Sequence, residues 1–191
     1  MSIQQLTPGV RAALSVNPNS KIGKIDFRIR MSSRRMDNHA VLDMAIVCKS
    51  RTKGIYTIWY GNPQDETGCI VDETYSCNGS SWNDDDLCIS VDFDKIPSDI
   101  EKMAVITNVL WGRELKQNLG LIDDGYLHVF SHTEEADIIE QHIDWTRHAG
   151  KTGIIWLEIY QYKNSWKVKA VENVTNSKNL GELATIASNC L

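Results

Sequence analysis

No Gly-x-Ser-x-Gly elbow and no phosphate-cradling glycine loop occurs in the 191 residues, which argues against serine hydrolases and P-loop enzymes. The five histidines, His39, His128, His132, His142 and His148, form no His-Glu-x-x-His zinc motif. A non-enzymatic protein is therefore expected. Positive charge is also scarce: 20 Lys and Arg against 25 Asp and Glu leave a net charge of −5, without the basic footprint of a nucleic-acid binder. Arg28, Arg30, Arg34 and Arg35 make a local basic stretch, read here as an exposed strand face and its loop. The five cysteines are odd in number and lack Cys-x-x-Cys spacing, which argues against a zinc knuckle and a disulfide framework. Cys48 and Cys88 sit in strand-like runs and read as buried small hydrophobes. No apolar run approaches the 18 residues of a membrane span, and Met1-Ser-Ile-Gln-Gln5 lacks the charged start and apolar run of a signal peptide. A cytoplasmic location is expected.

What is present is mostly period-2 apolar alternation, the mark of half-buried strands. Ile25, Phe27 and Ile29 alternate within residues 24–30, and Leu87, Ile89, Val91 and Phe93 within residues 87–93. Residues 40–48, 54–60, 69–71, 104–111 and 126–130 supply further strands. Residues 153–160 and 165–171, joined through Lys163-Asn164, form a hairpin pattern. Strands at this spacing, separated by turn signals, predict an all-β chain folded as a β-sandwich. Helices are minor. Ser98-Asp-Ile-Glu101 fits a capping box and predicts one helical turn after Pro97. Residues 133–146 fit a helix, through Ala136, Ile139 and Ile143, or a strand carrying a bulge. Residues 179–189, with Leu180, Leu183 and Ile186, predict a C-terminal helix. With no linker or repeat in view, residues 1–191 read as one domain.

Two features carry chemistry. Asn78-Gly-Ser-Ser-Trp-Asn-Asp-Asp-Asp86 is a polar turn with three adjacent aspartates that repel one another unless water or a cation separates them. Oxygen donors of this kind are selected by a hard cation such as calcium, although Asn, Gly, Ser and Asp also populate solvated turns for backbone reasons. Asp43 interrupts the apolar run of residues 40–48, where an unpaired buried carboxylate costs several kcal/mol unless it is paired or metal-bound. Of the six tryptophans, Trp82 inside the acidic turn is expected to be exposed and the others to pack in the core or the hairpin. Glu158 is expected to pair across the strands with Lys169, and Asp123-Asp124 to close a hairpin turn.

Val91-Asp-Phe-Asp-Lys-Ile-Pro97, Ile100-Glu-Lys-Met-Ala-Val-Ile106, Gln117-Asn-Leu-Gly120, Trp156-Leu-Glu-Ile-Tyr160 and Trp166-Lys-Val-Lys-Ala-Val171 follow one another in order. Together they resemble the TerD-like tellurium-resistance and stress-response family over roughly residues 39–190, while residues 1–38 match poorly. The resemblance implies a calcium-binding sandwich. Asp43 falls on the second acid of the family's Asp-Leu-Asp-like pair, whose first acid has become Val41. Asn83, Asp84, Asp85, Asp86 and Leu87 fall on an Asp-Gly-Asp-Asp-Glu-like run that has here lost its leading and closing acids. Asn62 falls on a Tyr-Asn-Asn-like turn, Asn78 on a Gly-Asp-Asn-like turn, and Trp111 on a position where the family often carries an acid. The implied ligand set is therefore Asp43, Asn62, Asn78, Asn83, Asp84, Asp85 and Asp86, with fewer charges than the family's two sites use. The resemblance also implies assembly with other proteins of a stress-response complex, near a membrane, and no nucleic acid. The alternative is a metal-free interaction module on the same sandwich, with Trp82 and residues 32–38 at its contact face.

Overall fold

The computed structural model describes residues 2–15, 21–32, 40–74 and 87–191. Alternation becomes two six-stranded sheets. The strands are β1 (Gln4–Gln5), β2 (Arg11–Ala13), β3 (Lys24–Ser32), β4 (Leu42–Ser50), β5 (Gly54–Ile58) and β6 (Ile70–Asp72). They continue with β7 (Leu87–Asp92), β8 (Ile100–Val109), β9 (Asp124–Ser131), β10 (Ala136–His142), β11 (Gly153–Tyr162) and β12 (Ser165–Thr175), and α1 (Leu180–Ser188) follows. The first sheet runs β1-β10-β9-β3-β7-β6 and the second β2-β12-β11-β8-β4-β5. Pairing is antiparallel except between β1 and β10.

Ile25, Phe27 and Ile29 of the first sheet face Leu42, Met44 and Ile46 of the second across one core. The opposite face of the second sheet carries Ala45, Val47, Ala104, Ile106 and Ile155, which α1 covers with Leu180, Leu183, Ala184 and Ala187. This second layer explains why residues 40–48 read as nearly continuous rather than alternating: both faces of β4 are buried. A Cβ on Gly153 would run into Ser177 Oγ, so glycine there permits the lead-in to α1 to lie against the sheet. Asn179 caps the helix by accepting from the Glu182 amide at 2.9 Å. Among the described residues no helix is long and apolar enough to cross a membrane.

Several expectations need revision, but residues 133–146 take the second of the two forms expected of them: they hold strand β10, which carries a bulge at the register shift between Asp137 and Ile139. The bulge puts apolar residues at a spacing that imitates a helix. Residues 98–101 contain no helical turn. Ile100 already begins β8, and Asp99 accepts from the hydroxyls of Ser50 and Thr52 at 2.5 Å each instead of capping a helix. Asp124 opens β9 behind a short 3-10 turn at Leu119–Leu121, so the Asp123-Asp124 pair closes no hairpin. Glu158 does lie opposite Lys169, 4.0 Å away, but Lys102 is its nearer partner at 2.7 Å. Arg28 is not on an exposed face: it is buried in an ion pair with Asp26.

Candidate functional site

Asp43 points away from the core shared by the sheets, on the side that α1 covers, opposite Asn108 of β8. Its carboxylate has no hydrogen bond and no ion pair among the described residues. Burial, and secondarily the negative field of Asp72, push its carboxyl up to about 6. Asp65 shows the contrast. Burial pushes its carboxyl up as well, but donations from Thr67 Oγ1 at 2.6 Å and the Ile70 amide at 2.8 Å outweigh that and hold it below the usual range. Asp65 is saturated by its own turn, whereas Asp43 has no such donor among the described residues.

Asp72, at the end of β6, is the site residue that sequence reasoning missed. Its amide donates to Pro63 O at 2.7 Å, which ties it to the turn containing Asn62. The Asn62 side-chain Nδ2 donates to Thr57 O at 3.1 Å and so helps close that turn. Thr74 and Leu87, the described residues on either side of the acidic turn, stand at the same end, because Glu73 N donates to Cys88 O at 2.9 Å. The structure therefore collects Asp43, Asp72 and the flanks of the acidic turn toward one corner. Asn78, Asn83, Asp84, Asp85 and Asp86 lie outside the described residues, as do Trp82 and residues 33–39. Among the described residues no three His, Cys, Asp or Glu side chains gather as a metal site.

The raised Asp43 acid has a definite sign. Between its unfolded value and about 6 the folded chain binds more protons than the unfolded chain, so stability falls as pH rises through that window. Asp43→Asn is therefore expected to stabilise the metal-free protein at pH 7 by on the order of 1–2 kcal/mol, discounted for the water that still reaches the side chain. At pH 4 the gain should vanish. Thermal melts at the two pH values, with chelator, test this; a destabilised variant at pH 7 would mean that the carboxylate has a partner.

The other polar concentration lies on the outer face of the first sheet. Asp26 Oδ1 accepts from Ser90 Oγ at 2.6 Å and stands 3.0 Å from His132 Nε2, while Arg28 Nη2 donates to Oδ2 at 2.6 Å. Serine and histidine both meet the carboxylate rather than each other, so the order of a nucleophile, base and orienting acid is lacking. Cys48, Cys69 and Cys88 are buried, and burial pushes the Cys69 thiol up to about 11, the opposite of an activated nucleophile. Trp145, Trp156 and Trp166 pack in the core, but Trp111, also expected to pack, is 63% exposed.

The TerD domain model matches residues 1–186. The stress response protein SCP2 of Bacillus subtilis is 27% identical over 126 residues, covering 66% of this chain and 62% of its own length. The tellurium resistance protein TerD of an Alcaligenes species is 21% identical over 134 residues, 70% of this chain and 65% of its own. The chain thus spans somewhat less than two thirds of these relatives. The crystal structure of a homologue of the telluride resistance protein TerD from Streptomyces coelicolor superposes with a TM-score of 0.67 at 14% identity, covering 87% of this chain and 97% of that one. That likeness shows the same fold.

Proposed function

The chain belongs to the TerD domain family, and on that basis we propose that it is a calcium-binding, non-enzymatic protein of a tellurium-resistance and chemical-stress response. The observation that carries the metal reading is the Asp43 carboxylate, half-buried, within the field of Asp72 and without any neutralising partner among the described residues. Calcium takes six to eight oxygens. Asp43 and Asp72 supply carboxylates, and Asp84, Asp85 and Asp86 are the further donors this reading requires. The protein acts in the cytoplasm by joining other proteins of the response rather than by turning over a substrate. The absent order among Ser90, His132 and Asp26 and the raised Cys69 thiol support that non-catalytic reading.

A cation that binds only the folded state stabilises it by about 2.7 kcal/mol at 100 times its dissociation constant. Millimolar calcium is therefore expected to raise the melting temperature by several degrees, and magnesium by much less. Asp43→Asn should abolish the rise, and so should Asp85→Asn with Asp86→Asn. Equal shifts from both ions, or none, would remove calcium from the reading. One observation favours a second reading, the metal-free interaction module: an open groove beside α1 is edged by exposed Tyr60 and Trp111.

A further inference from the structure

Helix α1 covers β4, β8 and β11 but leaves the outer face of edge strand β5 open. Between them runs a groove of about 1190 Å³. That is larger than the pocket of an ordinary small ligand and suits a peptide segment. Ile55, Trp59 and Tyr60 form one wall, and Leu180, Gly181 and Ala184 of α1 form the other. Trp111 stands at the end, on a backbone with φ of 49°, a left-handed conformation that side chains seldom adopt. Ile55, Tyr60 and Trp111 are among the most exposed large apolar residues described, at 47%, 50% and 63%. Apolar surface concentrated in this way marks an interaction site.

The charge of the groove selects its occupant. Asp43 lines it, and strand register places Asp43 opposite Asn108, just ahead of Trp111 along β8, with Trp59 and Tyr60 returning from β5 on its other flank. Arg113 and Lys178 also line the groove, but among the described residues no ion pair joins either of them to Asp43, and Arg113 Nη2 donates to Asn176 O at 3.2 Å. Glu114 adds a second negative charge. A carboxylate without a partner among the described residues, in a groove also lined by Trp59, Tyr60 and Trp111, complements an organic cation, because rings and charge both attract it and apolar stems fit the walls.

We propose that this groove docks a basic segment of a partner protein, an Arg or Lys side chain meeting Asp43 while its apolar neighbours cover Ile55 and Trp111. This deepens the interaction-module reading and does not require calcium. Isothermal titration of the chelator-treated full chain with the peptide Ac-Leu-Arg-Leu-Arg-Leu-amide tests it. Binding is expected, at least tenfold weaker when both arginines are replaced by glutamine. Asp43→Asn should weaken it at least tenfold and Trp111→Ala several-fold, each with a cooperative melt retained. No binding, equal affinity for the glutamine peptide, or an unaffected Asp43→Asn variant would overturn the proposal. Spermidine binding as tightly as the peptide, with the same dependence on Asp43, would overturn the partner segment in favour of a free amine. Calcium titrated separately into the same proteins keeps the two readings apart: absence of calcium binding with the peptide result intact removes the metal and leaves the docking groove.

Discussion

Arg28→Met is expected to remove about 3–5 kcal/mol of stability, because it strips the counter-charge from a carboxylate that remains buried. Asp26 and Arg28 are adjacent outward-facing positions of β3, yet they are only 3% and 8% exposed. Their contact is 2.6 Å, and the guanidinium lies 4.4 Å from the centroid of the Phe130 ring. Burial pushes the Asp26 carboxyl up, but hydrogen bonds from Ser90, His132 and Arg28, with the Arg28 charge, outweigh it and hold the group below its usual value. A depressed acid stabilises the fold above its unfolded value, 3.8, and loses that contribution as pH falls further through the folded value. Without Arg28 the acid limit of stability should therefore move upward. Adding Asp26→Asn removes the stranded charge, so the double variant should be distinctly more stable than the sum of the single effects. Urea unfolding of the four proteins at pH 7 measures this. Strict additivity would show that Asp26 does not depend on Arg28.

Trp156→Ala should cost a similar amount, about 3–5 kcal/mol, through a different mechanism. A register shift between Ile155 and Leu157 turns Trp156 and Leu157 both toward the core shared by the sheets, where Trp156 is 0% exposed. Its Nε1 donates to the buried Thr107 Oγ1 at 2.9 Å, and its ring meets Trp145 edge-on with centroids 5.6 Å apart. Alanine would leave a cavity and a buried hydroxyl without its donor. Trp156→Phe keeps most of the volume but not the hydrogen bond, so it should lose roughly 1–3 kcal/mol. Denaturant midpoints compare the three proteins, and a Phe variant as unstable as the Ala variant would assign the whole effect to the hydrogen bond.

Alternation along the chain determined the strands, and with them the two-layer architecture. Ile25, Phe27 and Ile29 lie in the core as the pattern requires. Lys163 and Asn164, with φ of 50° and 60°, make the two-residue hairpin turn that their neighbours announced. The C-terminal helix was equally legible from the spacing of Leu180, Leu183 and Ile186. All of these are local: side-chain period and turn chemistry act within a few residues.

What the sequence could not reveal depends on what lies across each strand. Alternation separates the two faces of β3 but does not say whether the polar face meets water, which is why Arg28 read as exposed. The aspartate of the apolar β4 run was visible at once as a position needing compensation. Its neighbours were not, because the field of Asp72 comes from the other sheet, and Trp111, Tyr60 and α1 line one groove with it only after β4 has paired with β5 and β8. The residues were chosen along the chain; sheet pairing and the packing of one helix on an outer face decided which of them share a dielectric and a groove.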